Sequence, residues 1–168
     1  MEIKEWFIGD DFIGAFDTDY DCSGILELWD YHDRAGSTEM RTGFGDGDAT
    51  KRRDRAISLP FGRGSYGSGP EKYQTDYNDV VYSCLELYRE KFSTLKGLDF
   101  QQLFVNVQKT EPGEGYHTWH CETIGDGPHR NRVLATMMYL NTIPEGEGGE
   151  TEFLYQHKRY NPIAGRVM

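Results

Sequence analysis

The longest regular pattern of apolar positions runs from Tyr73 to Leu95, where Tyr73, Tyr77, Val80, Val81, Cys84, Tyr88, Phe92 and Leu95 fall three or four residues apart. That spacing puts them on one stripe of an α-helix. Pro70 suits the start, since the amide it lacks has no partner in a first turn, and Gly97 suits the stop. The stripe predicts a helix packed on a sheet, with its aromatic rings as core rather than as a cofactor site. A second helix is predicted from Asp19 to about Arg34, with Cys22, Ile25, Leu26 and Trp29 at helical spacing, an acidic start and Gly36 as terminator, although Gly24 weakens it. Ahead of it, Trp6-Phe7-Ile8 and Phe12 to Phe16 read as a strand pair or an extended lead-in.

After Gly97 the texture changes to short alternating runs separated by Gly, Pro and Asn. Phe100 to Gln108 alternates around Leu103, Val105 and Val107; Tyr116 to Glu122 is a further strand; Arg132 to Leu140 sets Val133, Ala135, Met137 and Tyr139 against Leu134, Thr136, Met138 and Leu140. A Gly- and Glu-rich loop leads into Thr151 to Tyr155, and Ile163 to Met168 begins one more strand. Residues 36–70 show little periodicity. Their glycine-rich patches, Gly43 to Asp48 and Gly62 to Gly69, lack the ending of a phosphate loop and the acid spacing of an EF-hand, so they read as mobile loops around a strand at Ala56 to Leu59, one of them a candidate lid over a substrate. Helices first and strands afterwards predict an α+β domain spanning 1–168, with helical and loop support over 1–97 and a β core over 98–168.

Composition narrows the setting. The chain has 168 residues, 37% of them hydrophobic, and a mean hydropathy of −0.70, with no apolar run long enough to cross a bilayer. Met1 to Trp6 lacks the basic start and apolar stretch of a secretory signal, and the three dispersed cysteines (Cys22, Cys84, Cys121) lack any CxxC pair, so a reducing, cytoplasmic location is predicted. A net charge of −10 argues against nucleic acid as a partner, and Lys51-Arg52-Arg53 reads as a solvated loop.

The candidate chemistry lies at His120 and Glu122. Two residues apart on a strand they share a face, and an imidazole beside a carboxylate makes two of the three ligands of the facial triad that holds non-haem Fe(II). His117 and His120 form an HxxH, but a strand turns His117 the other way and the helical HExxH arrangement is absent, which disfavours a zinc protease.

An ordered set of motifs surrounds this pair: Gly115 to Glu122, Arg132 ahead of Tyr139-Leu140-Asn141, Gly148-Gly149-Glu150-Thr151-Glu152-Phe153, and Pro162 with Gly165. In this order they resemble the prolyl 4-hydroxylase-like branch of the 2-oxoglutarate and Fe(II)-dependent dioxygenases, including the short forms found in phages. The resemblance implies a double-stranded β-helix (jelly roll) core and makes His120 and Glu122 iron ligands. It gives Tyr139, Tyr116 and Thr151 to the co-substrate 2-oxoglutarate and the active-site mouth, lines the inner face with Phe153 and Tyr155 unless these are ordinary core, and leaves Arg132 a supporting role. It further implies O2 as co-substrate, ascorbate as accessory reductant, and a peptide, with peptidyl proline foremost, or a small molecule as the substrate hydroxylated at a C–H bond.

The chain also departs from the pattern. Glu122 stands where most members carry Asp; four positions separate Tyr116 from His120 where three are usual, implying a bulge; and Lys109 and Thr110 occupy a place that is often aromatic. The family's distal His and the basic residue beyond it have no counterpart, His157 being the only later histidine and sitting in what reads as a loop. The expectation is therefore a C-terminally incomplete β-helix, inactive by itself, with an open row of backbone groups between Phe100–Gln108 and Arg132–Leu140 where the family's final strand inserts. A non-catalytic, metal-binding jelly-roll module is the alternative. A nucleic-acid demethylase is disfavoured by the acidic balance, and a cupin by the lack of His-x-His.

Overall fold

The stripe on the long helix is realised. In the computed structural model, which describes residues 1–44, 46–60, 70–100, 102, 104–123 and 128–168, helix α2 spans Pro70–Lys91 and buries Tyr77, Val80, Val81, Cys84 and Tyr88. A short 3-10 turn, Ser93–Leu95, follows, and Gly97 (φ 90°) ends the segment in the left-handed region that glycine adopts without penalty. The partners of the stripe are Phe16 and Val167, on an antiparallel sheet of β1 (Ile3–Ile8), β2 (Gly14–Thr18) and β9 (Arg166–Val167) in that order. Burying each large side chain of such a cluster contributes about 1.5–3 kcal/mol.

Helix α1 repeats this arrangement on a second sheet. It spans Ser23–Arg34 and buries Ile25, Leu28 and Trp29 against Ile57, Leu59 and Val107. That sheet runs β3 (Glu39–Thr42), β4 (Arg52–Pro60), β5 (Phe104–Lys109), all antiparallel, with the two-residue β6 (Gly115–Tyr116) also paired to β4. A third, two-stranded sheet joins β7 (Thr151–Phe153) to β8 (Lys158–Tyr160). The architecture is thus mixed α+β, with few helices and several antiparallel sheets. No helix among the described residues is long and apolar enough to cross a membrane.

Several expectations change. The first helix begins at Ser23, not Asp19, because Asp21 Oδ1 accepts the Ser23 amide at 2.9 Å and keeps the preceding residues out of the first turn. Its inward positions are Ile25, Leu28 and Trp29, and Leu26 is exposed. The strand expected at Ala56 to Leu59 is there as part of a nine-residue β4 that begins at Arg52 and so includes Arg52 and Arg53, and β3 adds a strand where loop was expected; the described residues between them are mostly turns. The patch Gly62 to Gly69 lies outside the described residues, as do Gly45 and Leu103. Arg132 to Leu140 is not a continuous strand: only around Met138 does it pair, to Val167, with Met137 and Met168 exchanging amide bonds of 3.1 and 2.9 Å. Val133 is 57% exposed. Thr151 to Tyr155 stops at Phe153, so Tyr155, 89% exposed, lines no inner face. The segment after His157, read as loop, opens into β8.

Gly165 shows how tightly β9 is seated. With φ 80°, its added Cβ would meet the Thr18 carbonyl oxygen at 3.0 Å, and Thr18 Oγ1 donates to the Gly165 carbonyl at 2.7 Å. The chain end therefore stacks on β2 backbone to backbone.

The cysteines give a direct check on the core. Cys84 is 3% exposed and burial pushes its thiol from 9.0 up to about 12; Cys22 is also buried and raised by the same cause, whereas Cys121 is exposed. The thiolate is the reactive species, so iodoacetamide at pH 8 should modify Cys121 alone in the native protein and all three after unfolding, as read by intact mass. Because the folded-state value is raised, Cys84 favours folding fully below pH 9.0 and loses that contribution as pH climbs towards about 12.

Candidate functional site

The site is built on one face of β4. Arg41 of β3 stands opposite Asp54, Asp54 lies two residues from Arg52, and Arg52 stands opposite Tyr116 of β6, so strand register alone puts the four side chains in one row. Asp54 has no exposed surface. It accepts from Arg52 Nε at 2.5 Å on one oxygen and from Arg41 Nε at 3.1 Å on the other. The Arg52 guanidinium carbon lies 4.6 Å from the centroid of the Tyr116 ring.

The chain then leaves the sheet. The expected strand from Tyr116 to Glu122 ends at Tyr116, and residues 117–123 form a bent segment held by the His117 amide on the Lys51 carbonyl at 2.8 Å. Ahead of the bend, Gly113 and Gly115 take φ 83° and 138°, values that glycine adopts without penalty. His120 folds back onto Tyr116, ring centroids 4.7 Å apart and planes 21° from parallel, with Phe44 a further 5.2 Å contact of the imidazole.

His120 and Glu122 do meet, through this bend rather than through strand alternation. His120 Nε2 lies 3.5 Å from Glu122 Oε1, and His120 Nδ1 lies 3.3 Å from the Thr118 carbonyl. A carbonyl only accepts, so in that contact Nδ1 carries the proton and Nε2 faces the carboxylate oxygen. Two electron-pair donors facing each other at this distance need a cation between them: a proton, giving an imidazolium–carboxylate pair, or a metal ion. Two ligands on an ion with bonds of about 2.1 Å sit about 3.0 Å apart at right angles and about 3.4 Å apart at the tetrahedral angle, and the 3.5 Å seen lies nearer the second.

Glu122 is oriented from its other side. Arg132 Nη1 donates to Glu122 Oε2 at 2.5 Å and to its carbonyl at 3.2 Å, which leaves Oε1 to His120. The field around Glu122 also reaches Arg52: burial lowers its affinity for the proton, but Asp54, Tyr116 and Glu122 together raise it above the ordinary value. Partial burial raises the Tyr116 phenol against the pull of Arg52.

The other two expected co-substrate residues form a separate pair. Tyr139 Oη donates to Thr151 Oγ1 at 2.5 Å and lies 3.3 Å from the Tyr160 carbonyl, tying the β7–β8 hairpin to the stretch that pairs with β9. Burial raises this phenol. Among the described residues, no hydrogen bond or ion pair links Tyr139 or Thr151 to His120 or Glu122. A groove of about 300 Å³ is lined by Trp119 and, on the hairpin, by Glu152, Phe153, Leu154, His157 and Lys158; His120, Glu122, Tyr139 and Thr151 are not among its lining residues. His157 sits at the hairpin turn with φ 51°, and among the described residues no cluster of three or more His, Cys, Asp and Glu side chains is placed to hold a metal.

Sequence reading therefore found His120, Glu122, Tyr116 and Arg132 of the cluster and missed Phe44, Arg52 and Asp54. The signal for the last two was there, in an Arg-x-Asp spacing that pairs the charges if the segment is a strand. Compared with protein-family models, with curated proteins and with solved structures, the chain finds no match in any.

Proposed function

We propose that His120 and Glu122 are two ligands of a ferrous ion in a 2-oxoglutarate-dependent dioxygenase built on a jelly-roll core and working in the cytoplasm. One observation carries the reading: His120 Nε2 and a Glu122 carboxylate oxygen face each other at 3.5 Å on a partly exposed bend, an arrangement that a bound cation completes. The donor set, one neutral imidazole and one carboxylate with solvent access, is the kind that borderline divalent metals accept, and the order of motifs around it supports iron over zinc. Bound iron supplies dioxygen activation, coupling the conversion of 2-oxoglutarate to succinate and CO2 with hydroxylation of a C–H bond.

The chain's own residues position the pair. The Thr118 carbonyl accepts from the imidazole Nδ1, Arg132 turns the carboxylate, and Tyr116 and Phe44 pack against the imidazole, which stays partly exposed. In this reading Tyr139 and Thr151 give up their mutual bond to receive 2-oxoglutarate, and the groove beside Trp119 takes the substrate, with a prolyl peptide the first choice.

Anaerobic titration should show Fe(II) bound by this chain, but with no cluster of three ligands among the described residues the visible charge-transfer band with 2-oxoglutarate, and succinate on admitting air, should appear only in a longer version that supplies a distal His and a basic residue. Metal binding with neither band nor succinate in both versions favours the non-catalytic metal-binding module. No metal binding means that the pair is a plain imidazolium–carboxylate bridge, and the reading fails.

A further inference from the structure

We propose that Arg52 is a positioning residue for His120, acting through the Tyr116 ring. This deepens the metal-site reading and rests on it only for its effect on metal affinity. The row begins at a fixed point: Asp54, fully buried, grips the Arg52 guanidinium from Nε at 2.5 Å and Nη2 at 3.3 Å. Arg41 braces the same carboxylate from the neighbouring strand. A guanidinium held along one edge has its plane set, and the ring opposite it in register has little room to rotate. The Arg52 side chain is 14% exposed, so water competes weakly for it.

Tyr116 carries that constraint outward. Its ring touches the guanidinium at 4.6 Å and the His120 imidazole at 4.7 Å, near parallel. Among the described residues the Tyr116 hydroxyl accepts one long hydrogen bond, from Gln108 Nε2 at 3.5 Å, so the ring faces do more than the hydroxyl to hold it. Among the described residues the segment carrying His120 has no ladder hydrogen bond beyond the His117 amide, so the stack on Tyr116 orients the imidazole together with the Thr118 carbonyl, Phe44 and Glu122. A role confined to neutralising Asp54 would not require Arg52 to lie over this ring.

The test reads the histidine ring directly. In metal-free protein labelled with 13C-histidine, the His120 Cε1–Hε1 signal, assigned by its loss in His120→Asn, should be displaced by the ring current of Tyr116. Arg52→Gln should remove most of that displacement and weaken Mn(II) binding about tenfold, in the range seen when a group supporting a metal ligand is lost. Arg52→Lys guards against a folding defect: it keeps a cation for Asp54 but cannot both hold that carboxylate and lie flat on the ring, so it should show the same loss with the other histidine signals unmoved. An unchanged His120 signal in either folded variant overturns the inference. If wild-type protein binds no Mn(II) or Fe(II), the metal reading fails while the ring signal still decides the role of Arg52.

Discussion

Replacing Asp54 by alanine should lower the unfolding free energy by about 3–5 kcal/mol, one of the largest losses any single change in this chain produces. The side chain has no exposed surface and is the shared anion of two guanidinium groups from adjacent strands. Removing it leaves Arg41 and Arg52 facing each other without a counter-charge, which costs more than the contacts themselves are worth. The arginines are 22% and 14% exposed, so partial rehydration holds the loss toward the lower end. Urea denaturation followed by tryptophan fluorescence measures it. A loss below about 1 kcal/mol would place the pair among ordinary surface bridges and contradict the burial argument.

Replacing His120 by alanine should abolish detectable binding of Mn(II) or Fe(II), a loss of roughly a hundredfold or more, since a direct ligand matters at least as much as the groups that orient it. The His120→Ala protein should keep its stability, because the imidazole is on a bent surface segment outside both buried clusters. His117→Ala is the matched control: its backbone amide, not its ring, ties it to Lys51. Isothermal titration under nitrogen separates these outcomes, and equal weakening by both substitutions would count against His120 as the ligand.

The sequence disclosed the parts of the fold that obey a simple period. The α2 stripe was legible because five of its positions are buried by one sheet and nothing charged interrupts them. The second half of β4, Ala56 to Leu59, was legible, but the first half was hidden because it reads Arg-Arg-Asp-Arg, a run that looks solvated, whereas Asp54 pairs with Arg41 and Arg52 inside the sheet. Polar burial by mutual pairing leaves no hydrophobic trace. The site was legible in residue type but not in geometry. Alternation on a strand predicted that His120 and Glu122 share a face; they meet because the backbone bends after Tyr116, and Arg132, ten residues on, turns the carboxylate. Phe44 and Arg52 join the cluster through tertiary register, which no local window contains.

The seating of β9 against β2 and the residues around Met138 has a consequence for how the molecule is made. Phe16 pairs with Val167, and Asp17 grips Arg166 at 2.5 Å, across 149 positions of sequence. A ribosome adding about 5–20 residues per second must therefore pass Val167 before the first sheet can acquire its third strand. Until then the β1–β2 hairpin has only the long helix to lean on, and closing so wide a loop makes slow, all-or-none assembly the natural course.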